Sequence, residues 1–148
     1  MSRDKFRVVL TGIITYNGKI LLGKKEQKKG HPISNQWHLP GGHIDYGEKT
    51  NEAIKRELKE ETGLNVDVHQ LLDAIQIQYQ DDRTPVFRIF YHCEASSSNA
   101  DAGDDLTEVK WISPENLYDE LGEYETEKIG ENSNINRFVE KLEKMPVI

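Results

Sequence analysis

Cysteine is nearly absent. The lone Cys93 excludes an internal disulfide and a cysteine-built zinc cluster, as suits a reducing compartment. Long apolar runs are missing too. The opening "MSRDKFRVVLTGIITY" is too interrupted to span a bilayer and lacks the small-residue cleavage region of a secretory signal. A cytoplasmic protein without a membrane partner is expected. Positive charge is also scarce: 19 Lys and Arg stand against 26 acids, for a net charge of −7. Such a field does not attract nucleic-acid backbones, and an anionic ligand would need local bases or bound cations to approach. Neither a repeat nor a linker divides the 148 residues, so one domain over 1–148 is expected. With 36% hydrophobic and 30% charged residues, that domain is too apolar to be disordered.

Strand signals come first. "RVVLTGIITY" and "KILLGKK" are apolar and β-branched, and the Asn17-Gly18 pair between them favours a hairpin turn. The polar "EQKKGHPISNQ" reads as a loop leading into "WHLPGG". A helix follows from about Asn51 to Thr62, with Thr50 as the expected N-cap and Gly63 as the stop. "NVDVHQLLDAIQIQYQ" and "VFRIFYHCEA" read as strands around a "DDRTP" turn. In the second, Phe87, Ile89, Tyr91 and Cys93 alternate with more polar residues. "ASSSNADAGDD" reads as an exposed loop, "LTEVKWIS" as a strand, and Ser113-Pro114 as the start of a short helix. Ile135, Phe138, Val139 and Leu142 recur at helical spacing near the C-terminus. Helices mixed with strands in this order suggest an α/β sheet between helices.

The glutamates of the first helix need an explanation. On a wheel turning about 100° per residue, with Glu57 at zero, Glu61 falls near about +40° and Glu60 near about −60°. Ala53, Ile54 and Leu58 define the apolar arc that contains Glu57 and Glu61, whereas Lys55 and Lys59 lie almost opposite. A solvated face would place the acids with the lysines. Like charges at i, i+4 cost roughly 0.2–0.5 kcal/mol when exposed and more when buried. Such a cluster either takes up protons or holds a cation, and carboxylate oxygens suit Mg²⁺ or Mn²⁺. The glycine pair Gly41-Gly42 lets the backbone approach a ligand closely, offering carbonyls to a metal or amides to a phosphate.

"GHIDYGEKTNEAIKRELKEETGL", residues 42–64, resembles the Nudix box of the Nudix hydrolases. Gly42, Glu48, Arg56, Glu57, Leu58, Glu60, Glu61, Gly63 and Leu64 fill every fixed position. "WHLPGG" and "EVKWIS" resemble the family's flanking segments. The resemblance implies the Nudix fold, a mixed β-sheet sandwiched between helices. It also implies Mg²⁺- or Mn²⁺-dependent hydrolysis of a nucleoside diphosphate linked to another group. By position, Glu57, Glu60 and Glu61 match the metal-binding carboxylates, with the Gly41 carbonyl as a further ligand. Glu57 or a neighbour also serves the attacking water, and Arg56 and Glu48 brace the site. A loop acid beyond the box completes it in many members, with Asp104, Asp105 and Glu108 as candidates.

Substrate contacts are expected from Lys24 and Lys25 at a strand end, from Gly42, and from Trp37, which either stacks on a base or packs on the sheet. His38 and His43 have no partners at metal-ligand spacing and read as satisfied or solvent-facing. A nucleoside triphosphate is the favoured substrate, in the manner of MutT-like pyrophosphohydrolases. ADP-ribose, nucleotide sugars, dinucleoside polyphosphates and a non-catalytic nucleotide sensor are the alternatives. The loops Glu26–Gln36 and Asp81–Pro85 would select among substrates. Tyr79 lies near a position characteristic of dinucleoside-polyphosphate members. Homodimers are common in the family, although no exposed apolar stripe marks an interface here.

Overall fold

The computed structural model describes residues 6–29, 31, 33–78, 85–130 and 133–145. The first strands fall where their apolar runs place them: β1 is Arg7–Tyr16 and β2 is Lys19–Lys25. Asn17 and Gly18 between them take φ values of 50° and 78°, the left-handed pair that a type I′ turn requires. Two short strands that no sequence signal marked follow, β3 (Trp37–His38) and β4 (Gly41–His43). The helix α1 spans Thr50–Thr62 and ends on Gly63, whose φ of 73° is the left-handed stop expected. Its start differs from expectation. Lys49 holds the cap position, no side chain caps the end, and Thr50 is the first helical residue.

The long strands β5 (Val66–Gln78) and β6 (Pro85–Ala95) pair antiparallel, and β7 is Leu106–Ile112. Of the turn expected at residues 81–85, residues 81–84 lie outside the described residues, as does Tyr79, and Pro85 is already the first residue of β6. Ser113 precedes a 3₁₀ turn at Pro114–Asn116, followed by the helices α2 (Leu117–Glu120), α3 (Glu123–Gly130) and α4 (Ser133–Lys144). α4 carries the expected apolar face, with Ile135 and Val139 buried.

The strands form one mixed sheet in the order β3-β2-β1-β6-β5, with β4 paired to β1 and β7 to β2. β1 and β6 are parallel, and the other pairs are antiparallel. One edge of β1 is divided: Thr15 and Tyr16 pair with β2, whereas Val9, Leu10 and Thr11 pair with His43, Gly42 and Gly41. The sheet thereby carries the glycine pair to the N-terminal half of β1, beneath α1.

Alternation sorts the strand residues into two cores. Leu10, Ile14, Leu21, Tyr91 and Cys93 pack with Ala53, Ile54 and Leu58 of α1. Ile13, Leu22 and Phe90 pack on the other face with Leu117, Ile129, Ile135 and Val139. Both faces are therefore covered. For that reason the polar alternate Arg88 in β6 is buried rather than solvated. The architecture is the α/β sandwich expected. Among the described residues, no helix is long and apolar enough to cross a membrane.

Candidate active site

The acids of α1 separate by burial as the helical wheel requires. Glu61 is 5% exposed. Glu57 is largely covered, and Glu60 is exposed. Glu61 is fixed from below by the Gly41 N–H, which donates to its Oε1 at 2.8 Å. Desolvation pushes its carboxyl up to about 8, helped by Glu57 and Asp104 and opposed by the Gly41 bond and Lys25. Glu57 is raised by the same burial against the pull of Arg56.

Arg56 is the hub of the brace. Its Nε and Nη2 meet both oxygens of Glu48 at 2.6 and 2.9 Å. Nη1 reaches Glu57 at 3.0 Å and Glu60 at 3.2 Å, and Nη2 also reaches the His43 carbonyl at 3.2 Å. The fork holds Glu48 well below its ordinary range, at about 2, because the bidentate bond favours the ionised form. Arg56 thus pairs with Glu60 at i, i+4 and braces Glu48 and Glu57 at once.

Of the three loop acids, the geometry separates Asp104 and Asp105 from Glu108. Asp104 offers an oxygen within 4.8 Å of oxygens from Glu57 and Glu60, and Asp104 and Asp105 do the same with Glu61. Glu108 instead faces Lys24 across β2 and β7 at 3.6 Å. The loop is fastened to the end of α1: Asp101 N–H donates to the Thr62 carbonyl at 2.9 Å and Gly103 N–H to that of Glu61 at 2.8 Å. These bonds satisfy carbonyls that a helix C-terminus leaves open. Lys25 is buried in an ion pair with Asp105, and burial lowers its pKa.

The donor set fits a hard divalent cation. Two overlapping groups of carboxylate oxygens converge, one member is too buried to ionise easily without a counter-charge, and among the described residues no sulfur or imidazole joins either group. Close packing keeps the cradle narrow, since a Cβ on Gly42 would lie 2.1 Å from Glu57 Oε2.

The remaining expected residues lie around this cluster. Trp37 packs partly against the second core, with Lys110 Nζ 4.1 Å from its ring centroid and Lys24 Nζ at 6.0 Å. Lysine ammonium thus already occupies one side of the ring. His43 is exposed, as one of the two readings had it, whereas His38 is buried and its Nε2 has no hydrogen-bond partner among the described residues, so it is not solvent-facing.

Residues 6–131 match the family model described as the NUDIX domain. The chain belongs to the Nudix hydrolase family. A curated Nudix relative, the ADP-ribose pyrophosphatase of Methanocaldococcus jannaschii, is 37% identical over 74% of this chain and 63% of its own length. The chain thus spans less than two-thirds of that relative. The nucleoside triphosphatase NudI of Salmonella typhimurium is 30% identical over 75% of this chain and 84% of its own. The fold is shared with a MutT protein from Methanosarcina mazei Go1, with a TM-score of 0.76 and 19% identity over 97% of this chain and all of that one.

Arg88 and Glu125 carry no functional signature in the sequence. Both are buried, and Arg88 Nη2 donates to Glu125 Oε2 at 2.7 Å while Nη1 donates to Oε1. The one available signal was an arginine inside the apolar run "VFRIF". α3 itself went unseen because this carboxylate stands where an apolar residue would have marked its buried face.

Proposed function

We propose that this single Nudix domain is a divalent-metal-dependent pyrophosphohydrolase of a nucleoside diphosphate linked to another group, with a nucleoside triphosphate as the favoured substrate. The convergence of Glu57, Glu60, Glu61 and Asp104 carries the reading. Glu57, Glu60 and Glu61 would hold Mg²⁺ or Mn²⁺, with the Gly41 carbonyl as a further ligand and Asp104 as the completing loop acid. When bound, the cation offsets diphosphate charge and acidifies a water for in-line attack. Glu57, a carboxylate held beside the cluster by Arg56, would receive the water's proton. Arg56 holds Glu57 and Glu60 in place, and Glu48 fixes Arg56. Lys24, Lys25, Trp37 and the Gly42 amide would contact the substrate. A cytoplasmic location accords with the single cysteine, and a homodimer would follow the habit of the family.

ADP-ribose is the second reading, favoured by the archaeal relative named for it. Release of phosphate and pyrophosphate from a panel of nucleoside triphosphates, ADP-ribose, nucleotide sugars and dinucleoside polyphosphates tests both. A phosphatase step reveals products without free phosphate. Turnover should require Mg²⁺ or Mn²⁺ and fall by about 10²-fold or more in Glu61→Gln. Nucleotide binding without turnover on the whole panel would make the chain a sensor instead.

A further inference from the structure

Two buried charges stand outside the mechanism. Arg88 of β6 and Glu125 of α3 meet as a fork, Nη1 donating to Oε1 and Nη2 to Oε2 at 2.7 Å. Stability alone does not account for them. Taking two charges out of water roughly offsets their attraction, and a well-packed apolar pair of similar volume holds a fold as well or better. An apolar pair would lack the two further hydrogen bonds made here. Glu125 Oε2 accepts from the Leu39 N–H at 3.1 Å, and Arg88 Nε donates to Thr11 Oγ1 at 2.8 Å.

Both bonds end beside Gly41. Leu39 stands two residues before it, in the link between β3 and β4, and Thr11 is its partner across the ladder of β1 and β4. Pro40 has no N–H to give, so the Leu39 N–H is the last backbone donor ahead of Gly41. The Gly41 N–H itself goes to Glu61 Oε1 at 2.8 Å, and its carbonyl is the further ligand assigned above. α1 and α3 lie on opposite faces of the sheet. Residues 39–41 are thus held from one face by Glu61 and from the other by Glu125.

We infer that Arg88 and Glu125 are positioning residues of the hydrolytic site, fixing the backbone of residues 39–41 so that Gly41 meets both Glu61 and the cation. This rests on the metal-dependent hydrolase reading above. The pair acts through the Leu39 N–H and Thr11 Oγ1 and needs no contact with the substrate. Partners one step behind a metal ligand set its orientation, and their loss weakens metal binding even where every ligand remains.

The test exchanges the pair for apolar residues of similar volume, Arg88→Met with Glu125→Leu, a change the fold should tolerate. In metal-free protein, hydrogen exchange at the Gly41 amide should quicken by about tenfold or more relative to the Ile14 amide in the core of β1. Mn²⁺ affinity, read by electron paramagnetic resonance without substrate, should weaken by about 10–100-fold. At saturating Mn²⁺, kcat on the best nucleotide of the panel should fall by about tenfold or more, with KM within about threefold. Arg88→Met with Glu125→Gln returns an acceptor to the Leu39 N–H without the charges, and should recover most of each loss. If the first variant does not fold, Arg88→Leu with Glu125→Met takes its place. Gly41 exchange that merely tracks Ile14, wild-type Mn²⁺ affinity, or no recovery in the Glu125→Gln protein would overturn the inference. So would a rise in KM alone, which would make the pair a substrate contact. Expected responses at Gly41 and in Mn²⁺ binding, with no nucleotide turned over by wild type, would sink the hydrolase reading alone. Turnover with an unresponsive Gly41 would sink only this one.

Discussion

A Cβ on Gly41 would sit 2.0 Å from the Leu10 carbonyl oxygen and 2.8 Å from Thr11 Cα, both backbone atoms of β1. On the neighbouring Gly42 it would meet Glu57 Oε2 at 2.1 Å, the far end of a flexible side chain. The two glycines are adjacent in sequence, yet their substitution should fail differently. Gly41→Ala must separate β4 from β1, so a loss of about 1–3 kcal/mol is expected. It would be read as a lower midpoint in urea with an unchanged slope. Gly42→Ala needs only to swing the Glu57 carboxylate aside. Stability should stay within about 0.5 kcal/mol, whereas kcat/KM should drop by about 10²-fold, as misplacing a reacting group by about 1 Å does. A Gly42→Ala protein with wild-type turnover would show that Glu57 does not act from this position.

At the scale of elements, what matters is how the 101–105 loop reaches α1. Gly103 donates its N–H to Glu61 O, and a Cβ there would lie 2.4 Å from Glu60 O, so only glycine lets the loop pass this close. Asp104 follows at a φ of 52° and turns its carboxylate to the cluster. Gly103→Ala should therefore lift Asp104 away. Apparent Mg²⁺ affinity should weaken by about 10–100-fold with far-UV circular dichroism unchanged. Unaltered Mg²⁺ dependence would remove Asp104 from the site. This docking explains how far the sequence could be read. The box acids repeat at helical spacing, so periodicity alone puts Glu57 and Glu61 on the protein side of α1. Strands β1 and β2 were legible from their β-branched runs and the Asn17-Gly18 turn. The choice among Asp104, Asp105 and Glu108 depends on two loop-to-helix hydrogen bonds that leave no periodic trace. The Arg88–Glu125 pair was equally hidden, because two charges far apart in the chain look solvated until both faces of the sheet are known to be covered.

The whole molecule adds a dependence on pH, set on the face away from the glutamates. His92 of β6 lies between the sheet and α4: its Nε2 is 2.7 Å from Thr15 Oγ1 and its ring centroid 4.6 Å from that of Phe138. Burial pushes its pKa from 6.5 down to about 4, aided by nearby His69 and opposed by Glu94. The folded protein thus keeps this ring neutral where the unfolded chain protonates it. Its contribution is fully present above pH 6.5 and is lost as the pH falls toward about 4. Glu61 acts in the opposite sense. Its carboxyl, raised from 4.5 to about 8, makes the metal-free fold less stable as pH rises through that interval. The two slopes overlap, and a single melting curve series would blend them. The difference between wild type and His92→Gln isolates the histidine, because Gln keeps a partner for Thr15 but takes up no proton. Unfolding midpoints without metal should therefore diverge with pH: the variant should gain on wild type steadily from pH 6.5 to about 4 and run parallel to it above. Below that window both should weaken together as the Glu48–Arg56 bond is lost, since Glu48 titrates between 4.5 and about 2. Parallel midpoints from neutrality to pH 4 would mean that His92 titrates in the fold as it does in the unfolded chain. The packing of α4, through Phe138, on the His92 ring would then have to be looser than the ring contact indicates.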